Sequence, residues 1–294
     1  MAKVDFRDQI ASNKAKSIAL LLIVFLVLIA LGAVTALAFR LDMFMMLIFA
    51  TIISIFYVWI TYAFSDKIAL MSVGAQMADK RRHKLLYDAV ENMSIASGMP
   101  MPRVYVMPGS QINAFETGKN PGKSVICVTE GALEKLNKQE LEGVIGHEIS
   151  HIANYDIKFV TLVAVVVGAI SIFSQIFLRS LWFKGSDDSR GNGNIIFFLI
   201  ALVLAIIAPI IVKLVQLAIS RKREYMADAG SVQFTRYPPG LINALNKIKK
   251  DHEPLKVPGA VAPMFFSDTT KARMVELFQT HPPIEKRIKV LEEM

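Results

Sequence analysis

The chain has 294 residues, of which 53% are apolar and 20% charged, and a mean hydropathy of +0.44, too apolar for an ordinary soluble enzyme of this length. Its net charge of +8 and pI near 9.5 would suit a nucleic-acid binder. However, no aromatic residues interleave with the basic ones, and the anionic inner face of a bilayer attracts Lys and Arg as readily, so the charge points to a membrane and not to nucleic acid.

Residues 17–39 form an apolar run without a charge, long enough at 1.5 Å per residue to cross a hydrocarbon core of roughly 30 Å. Residues 43–64 form a second. Arg40-Leu41-Asp42 is so short a link that the two runs must form an antiparallel hairpin. Ala36-Leu37-Ala38 imitates a signal-peptide cleavage site, but the run exceeds the usual h-region of about 7–15 residues. Residues 159–178 and 195–212 make a second apolar pair around the turn-forming loop 184–194, and Pro209 is compatible with a span because neighbouring helices can satisfy the freed carbonyl.

Basic residues set the orientation. They cluster before the first run (Lys3, Arg7, Lys14, Lys16), after the second (Lys67, Lys80, Arg81, Arg82, Lys84) and after the fourth (Arg221, Lys222, Arg223), which places all three clusters in the cytosol. The expected organisation is a tail and hairpin over 1–64, a cytosolic catalytic segment over 65–158, a second hairpin over 159–219 and a second cytosolic segment over 220–294. The two soluble segments face one compartment and can combine. No Asp, Glu, Lys, Arg or His interrupts the four runs, which argues against a transporter.

Within the first soluble segment, Leu85, Leu86, Ala89, Val90, Met93 and Ala96 recur at helical spacing over 80–98, and Gly98 with Pro100 ends that helix. Strand-like runs follow at 103–107, 112–117 and 124–129, the last two separated by Asn120-Pro121-Gly122, which predicts a small hairpin-rich sheet. Cys127, the only cysteine, lies in the third run, excludes an intramolecular disulfide and reads as a buried core thiol. From 130 to 155 the pattern is again helical.

That helix carries His147-Glu148-Ile149-Ser150-His151, an HExxH motif. On a helix the two histidines at i and i+4 project from one face a turn apart, as zinc ligands must, and Glu148 stands beside them as a candidate base. A catalytic zinc commonly keeps three protein ligands and an open position, so a third is sought further on. Arg221-Lys-Arg-Glu224-Tyr-Met-Ala-Asp228 offers two acids on one helix face, and the second hairpin returns them to the membrane surface where His147 lies. Spacing alone does not choose between Glu224 and Asp228.

With Asn113-Ala-Phe-Glu-Thr-Gly118, HEISHIANYD over 147–156, SRKREYMADAG over 220–230 and HPPIEKRI over 281–288, nearly the whole chain resembles the HtpX-type integral-membrane zinc metallopeptidases, distant relatives of the CAAX prenyl endopeptidases. The resemblance implies an α-helical membrane protein with an α+β zincin-like catalytic domain and a small sheet beside the HExxH helix. It implies one zinc per chain, held by His147, His151 and Glu224, with Glu148 as base. It makes Asp228 an outer partner that fixes a ligand ring, and His281 a stabiliser of the oxyanion with Arg287 nearby. Read on residues alone, His281 is no more than the entry to a helix whose first turn holds Pro282 and Pro283.

Asn113, Ala114 and Phe115 resemble the family's edge strand, which could receive an extended substrate by strand addition, although the pattern fits an internal strand equally. Glu116 stands where relatives often carry a small residue, and leaves the substrate preference near this strand open. The implied activity is proteolysis of damaged or misfolded membrane proteins in the cytoplasmic membrane, with unfolded chains, the bilayer and quality-control proteins as partners. Processing of lipidated C-termini, or a zinc-stabilised scaffold, are the other readings of the same residues.

Overall fold

The computed structural model describes residues 41–163, 221–251 and 282–294, with positions 255, 257, 261 and 264–267 and scattered helical residues between 15 and 36. The chain folds as a small mixed sheet packed on helices, with one long apolar helix leading into it.

That long helix is α1, Met43–Ser72. The Asp42 carboxylate accepts from Met45 N at 2.7 Å and caps its free N-terminus. Its stretch Met43–Ile60 is long and apolar enough to cross a membrane, and Phe44, Met45, Phe49, Ile52, Phe56 and Trp59 are exposed along it, a surface that lipid would cover. The helix does not stop at the expected boundary near residue 64. It continues to Ser72 because Ala69 and Leu70 are buried against Met107, Phe115, Val125 and Cys127 of the sheet. Lys119 Nζ donates to Ala63 O, and Arg103 binds Asp66 at 2.8 Å, so the span is fastened to the catalytic domain along two further turns.

Among the described residues this is the one helix long enough to span. The first run shows a shorter apolar helix, Ile18–Ala30. Most of the third run and all of the fourth lie outside the described residues. The start of the third is helical from residue 156, and its Phe159, Leu162 and Val163 pack on Leu20 of the first run.

Strands β1 (Gln76–Met77), β2 (Arg103–Met107), β3 (Ala114–Gly118) and β4 (Ser124–Thr129) form one sheet in the order β1-β2-β4-β3. The β2–β4 pair is parallel and the β3–β4 pair antiparallel, so β3 is an edge strand. It begins two residues later than the pattern at 112–117 suggests, because the Asn113 backbone N–H donates to the Thr129 hydroxyl at 3.0 Å instead of to a strand carbonyl, while its side-chain amide binds Ser267, accepting from its N at 3.1 Å and donating to its O at 3.0 Å. Cys127 is fully buried, and burial pushes its thiol pKa up.

Helix α2, Lys84–Ser97, ends at Gly98 in the left-handed conformation, φ +68°, where a side chain would be strained. It starts at Lys84 and not at Lys80 because the Asp79 carboxylate accepts from Arg81 N and Arg82 N and holds a turn. The helical pattern over 130–155 resolves into α3, Glu130–Lys135, and α4, Lys138–Ala153. The break at Leu136-Asn137 is set by a capping box in which Asn137 Oδ1 accepts from Glu140 N and Glu140 Oε2 from Asn137 N. Lys247 reinforces it, binding Glu140 at 2.6 Å.

Helix α4 is the hub. Leu141, Val144, Ile145, Ile149 and Ile152 are buried in the main core, on the order of 10 kcal/mol of gross apolar burial before chain entropy is subtracted. Helices α5 (Arg221–Thr235) and α6 (Pro238–Lys250) close around it, and α7 (Ile284–Glu292) packs on those two.

Candidate metal centre

Two helices supply the site, and small residues decide how near they come. A Cβ on Gly230 of α5 would lie 2.7 Å from Ser150 Cβ of α4, and one on Gly146 would lie 3.0 Å from Ser231 Oγ. Ser231 Oγ in turn donates to Gly143 O at 2.6 Å. This close crossing brings Glu224 and Asp228 of α5, one turn apart, level with His147 and His151 of α4.

His147 Nε2 lies 3.6 Å from Glu224 Oε2, His151 Nε2 lies 3.6 Å from Glu224 Oε1, and the two Nε2 atoms are 3.2 Å apart. One atom from each of the three side chains falls within 4.8 Å of the others, all turned to one point. The separations to Glu224 exceed a good hydrogen bond, and two imidazoles with a carboxylate are a zinc donor set. The residues therefore fit a metal ion. Glu148, next to His147, is 1% exposed, and neither of its carboxylate oxygens has a hydrogen-bond partner, which is costly unless a ligand or substrate group is meant to arrive there.

The far nitrogens of both rings are held by acids. His147 Nδ1 is 2.9 Å from Asp228 Oδ1, and His151 Nδ1 is 3.1 Å from Asp156 Oδ2. Each pairing fixes Nδ1–H as the tautomer and leaves Nε2 free for a metal. Asp156 is the residue the sequence reading missed. Its signal was an acid five positions after His151, but it can reach back only because Tyr155 takes a left-handed φ of 59°, an uncommon conformation costing about 1–2 kcal/mol, which folds the chain past the end of α4. Arg223 Nη1, 3.4 Å from Asp156 Oδ1, sits behind it.

Arg287 of α7 grips Asp228 with Nε to Oδ2 at 2.9 Å and Nη2 to Oδ1 at 2.6 Å, stacks over the Phe266 ring at 4.7 Å and donates to Phe266 O at 3.4 Å. Burial alone would raise the Asp228 carboxyl, but Arg287 and then His147 hold it down to about 2, so it stays an anion. Burial pushes Glu148 up to about 7, with Glu224 adding to the effect. Without a metal, burial works against the charged imidazoles, yet both are raised: His147 chiefly by Asp228 and Glu224, His151 chiefly by Asp156. His281 lies outside the described residues.

Asn113, Ala114 and Phe115 are all buried at the sheet edge, but this part of the edge is already paired. Phe266 N donates to Ala114 O at 2.8 Å, and Phe115 bridges Phe265 in antiparallel fashion. Substrate addition at Ala114–Phe115 therefore requires the chain's own 264–267 segment to move aside. Glu116, the next residue, is 5% exposed and by strand alternation shares the face of Ala114, which packs in the core with Ile149 and Ile152 of α4. Burial first, and then the Glu148 carboxyl, push its pKa well above the usual carboxylate range.

The sequence profile of peptidase family M48 matches residues 80–294. A protease HtpX homolog of Caldanaerobacter subterraneus subsp. tengcongensis is 46% identical over 252 residues, 84% of each chain. Another from Dictyoglomus thermophilum is 40% identical over 295 residues, covering 100% of this chain and 96% of the relative. The crystal structure of S. mikatae Ste24p shares the fold, with a TM-score of 0.50 at 18% identity over 97% of this chain and 67% of that one.

Proposed function

The chain belongs to peptidase family M48 as a metalloprotease of the HtpX type, and on that premise we propose that it is a multi-pass zinc endopeptidase of the cytoplasmic membrane, cleaving misfolded or damaged membrane proteins on the cytosolic side. The observation that carries the reading is the pair of unpartnered Glu148 oxygens beside the converged His147, His151 and Glu224.

His147, His151 and Glu224 would hold the zinc, which when bound supplies a Lewis acid that polarises a carbonyl and makes water acidic near neutral pH. Glu148 takes the proton of the attacking water as the oxygen–carbon bond forms, then passes it to the amine nitrogen as the carbon–nitrogen bond breaks. Asp228 and Asp156 keep the ligand rings oriented, and Arg287 keeps Asp228 ionised and in place. The fastening of α1 to the sheet through Ala69 and Leu70 supports a site held close to the membrane, where exposed segments of membrane proteins and quality-control partners would meet it. The Lys and Arg clusters support the cytosolic orientation.

The test is to incubate membranes with the chain or with its Glu148→Gln variant and identify cleaved proteins by mass spectrometry, with a prenylated peptide alongside. New termini in misfolded membrane proteins, present only with the unsubstituted chain, are expected. Cleavage confined to the prenylated peptide would replace quality control with processing, and identical patterns from both chains would end the protease reading of this site.

A further inference from the structure

Resting on the membrane reading of α1, we propose that Lys119 and Lys158, converging on Tyr62 where α1 leaves the bilayer, bind the headgroup phosphate of an anionic phospholipid. The apolar window of α1 ends at Ile60. The polar layer outside a hydrocarbon core is roughly 5–7 Å deep, about four residues of helix at 1.5 Å each, so residues 61–64 stand at headgroup depth. Both ammonium groups lie at that depth. Lys119 Nζ donates to Ala63 O and is 5.9 Å from the Tyr62 ring centroid, and Lys158 Nζ is 5.0 Å from the same centroid. The two lysines come from separate segments, which the 3.0 Å hydrogen bond between the Thr117 and Thr161 hydroxyls brings together. Lys119 follows Thr117 by two residues, just past β3, and Lys158 precedes Thr161 by three, on the same face of the helix that begins at residue 156.

Two ammonium groups sharing one ring repel each other, and α1 offers no free acid to balance them. Asp66, the one acid in that helix, is engaged by Arg103 at 2.8 Å. A phosphodiester supplies one negative charge and several acceptor oxygens, and Lys119 keeps two N–H groups for it beyond the one given to Ala63. The acyl chains also have a place. Ile48, Ile55 and Tyr62 repeat every seven residues on one face of α1, and among the described residues all three are exposed. A basic pocket between spans on the cytosolic side, continued by an apolar lane, is the chemistry that holds an anionic headgroup. Because Lys119 follows β3, a lipid bound there would brace the strand whose Ala114 packs with Ile149 of the helix bearing the two histidines.

Trp59, 57% exposed and one turn before Tyr62, reports on the site. The full chain with Trp182→Phe, which leaves Trp59 as the one tryptophan, is reconstituted in vesicles, and quenching by phosphatidylglycerol with brominated acyl chains is compared with quenching by brominated phosphatidylcholine. Phosphatidylglycerol should bind at Trp59 roughly fivefold tighter, one lysine's worth near a charged membrane surface. Lys119→Gln with Lys158→Gln should bring that ratio close to one. Lys67→Gln removes the same charge about 140° around α1 from Tyr62 and should leave the ratio unchanged. Equal quenching by the two lipids, a preference that survives the double substitution, or an equal fall with Lys67→Gln overturns the site, the last by showing diffuse surface charge. If Lys119→Gln does not fold, Lys158→Gln alone decides: it should cut the ratio by about half, and an unchanged ratio overturns the site. Quenching by neither lipid would count against the membrane reading of α1, whereas quenching without headgroup selection counts against the lysine pair only.

Discussion

Arg287 and Asp228 meet side by side, in two parallel hydrogen bonds of 2.9 and 2.6 Å, at a place where neither is more than 1% exposed. Removing the guanidinium leaves a buried carboxylate uncompensated, a loss of about 3–5 kcal/mol. Arg287→Ala should therefore lower stability by that amount in chemical denaturation and weaken metal binding. Arg287→Lys should recover only part of both, because a single ammonium cannot bond both oxygens in parallel. Full recovery with lysine would show that charge alone matters there.

The two acids of α5 should separate cleanly. Glu224→Ala removes one of the three convergent ligands and should abolish stoichiometric zinc and activity. Asp228→Asn and Asp156→Asn alter partners of the ring nitrogens and should retain zinc at raised concentration with affinity or activity reduced about 10–100-fold. Metal content across a zinc titration distinguishes them. Normal loading of Glu224→Ala would exchange the roles.

Glu148→Gln should keep the metal and lose at least about 10²-fold in rate, a typical general-base contribution. The base works only when deprotonated, so activity should rise with pH along an acid limb. Burial places that limb near the Glu148 value of about 7, and a nearby cation would move it lower by favouring the carboxylate. A limb well above pH 7 would point to another group.

Acid should release the metal. The ligand rings must be neutral to bind, and in the metal-free chain both His147 and His151 hold protons more firmly than a free histidine. Protons therefore compete increasingly as pH falls through neutrality, and the apparent zinc affinity should drop steeply between about pH 7 and pH 5. Isothermal titration in buffers of different ionisation heat would count the protons displaced. An affinity flat across this range would contradict the assignment.

Gly230→Ala should separate α4 from α5, since its new methyl would collide with the Ser150 side chain, and zinc should be lost together with stability. Ser150→Gly in the same chain should restore part of the loading by removing the opposing Cβ. No rescue would place the fault elsewhere than in this crossing.

Whatever depends on near neighbours along the chain was legible in the residues alone. A helix pitch of 3.6 residues puts His147 and His151 on one face, the same rule aligns Glu224 with Asp228, and unbroken apolar length marks Met43–Ile60 as a candidate span. The capping box at Asn137 and Glu140, which splits the helical pattern over 130–155, was also written locally and is legible once looked for. The remaining contacts join residues far apart in the chain and emerge only once the elements are packed. Asp228 turns to His147 and not to His151, Asp156 reaches back to His151, Arg287 closes on Asp228 from α7, and Phe265–Phe266 covers the part of the edge expected for substrate. Periodicity fixes the direction of a side chain around its own helix or strand, whereas its partner is set by how closely two elements pack and in what register. Here that register is set by Gly146 and Gly230 meeting Ser231 and Ser150, a contact between small residues that leaves no periodic trace in the sequence.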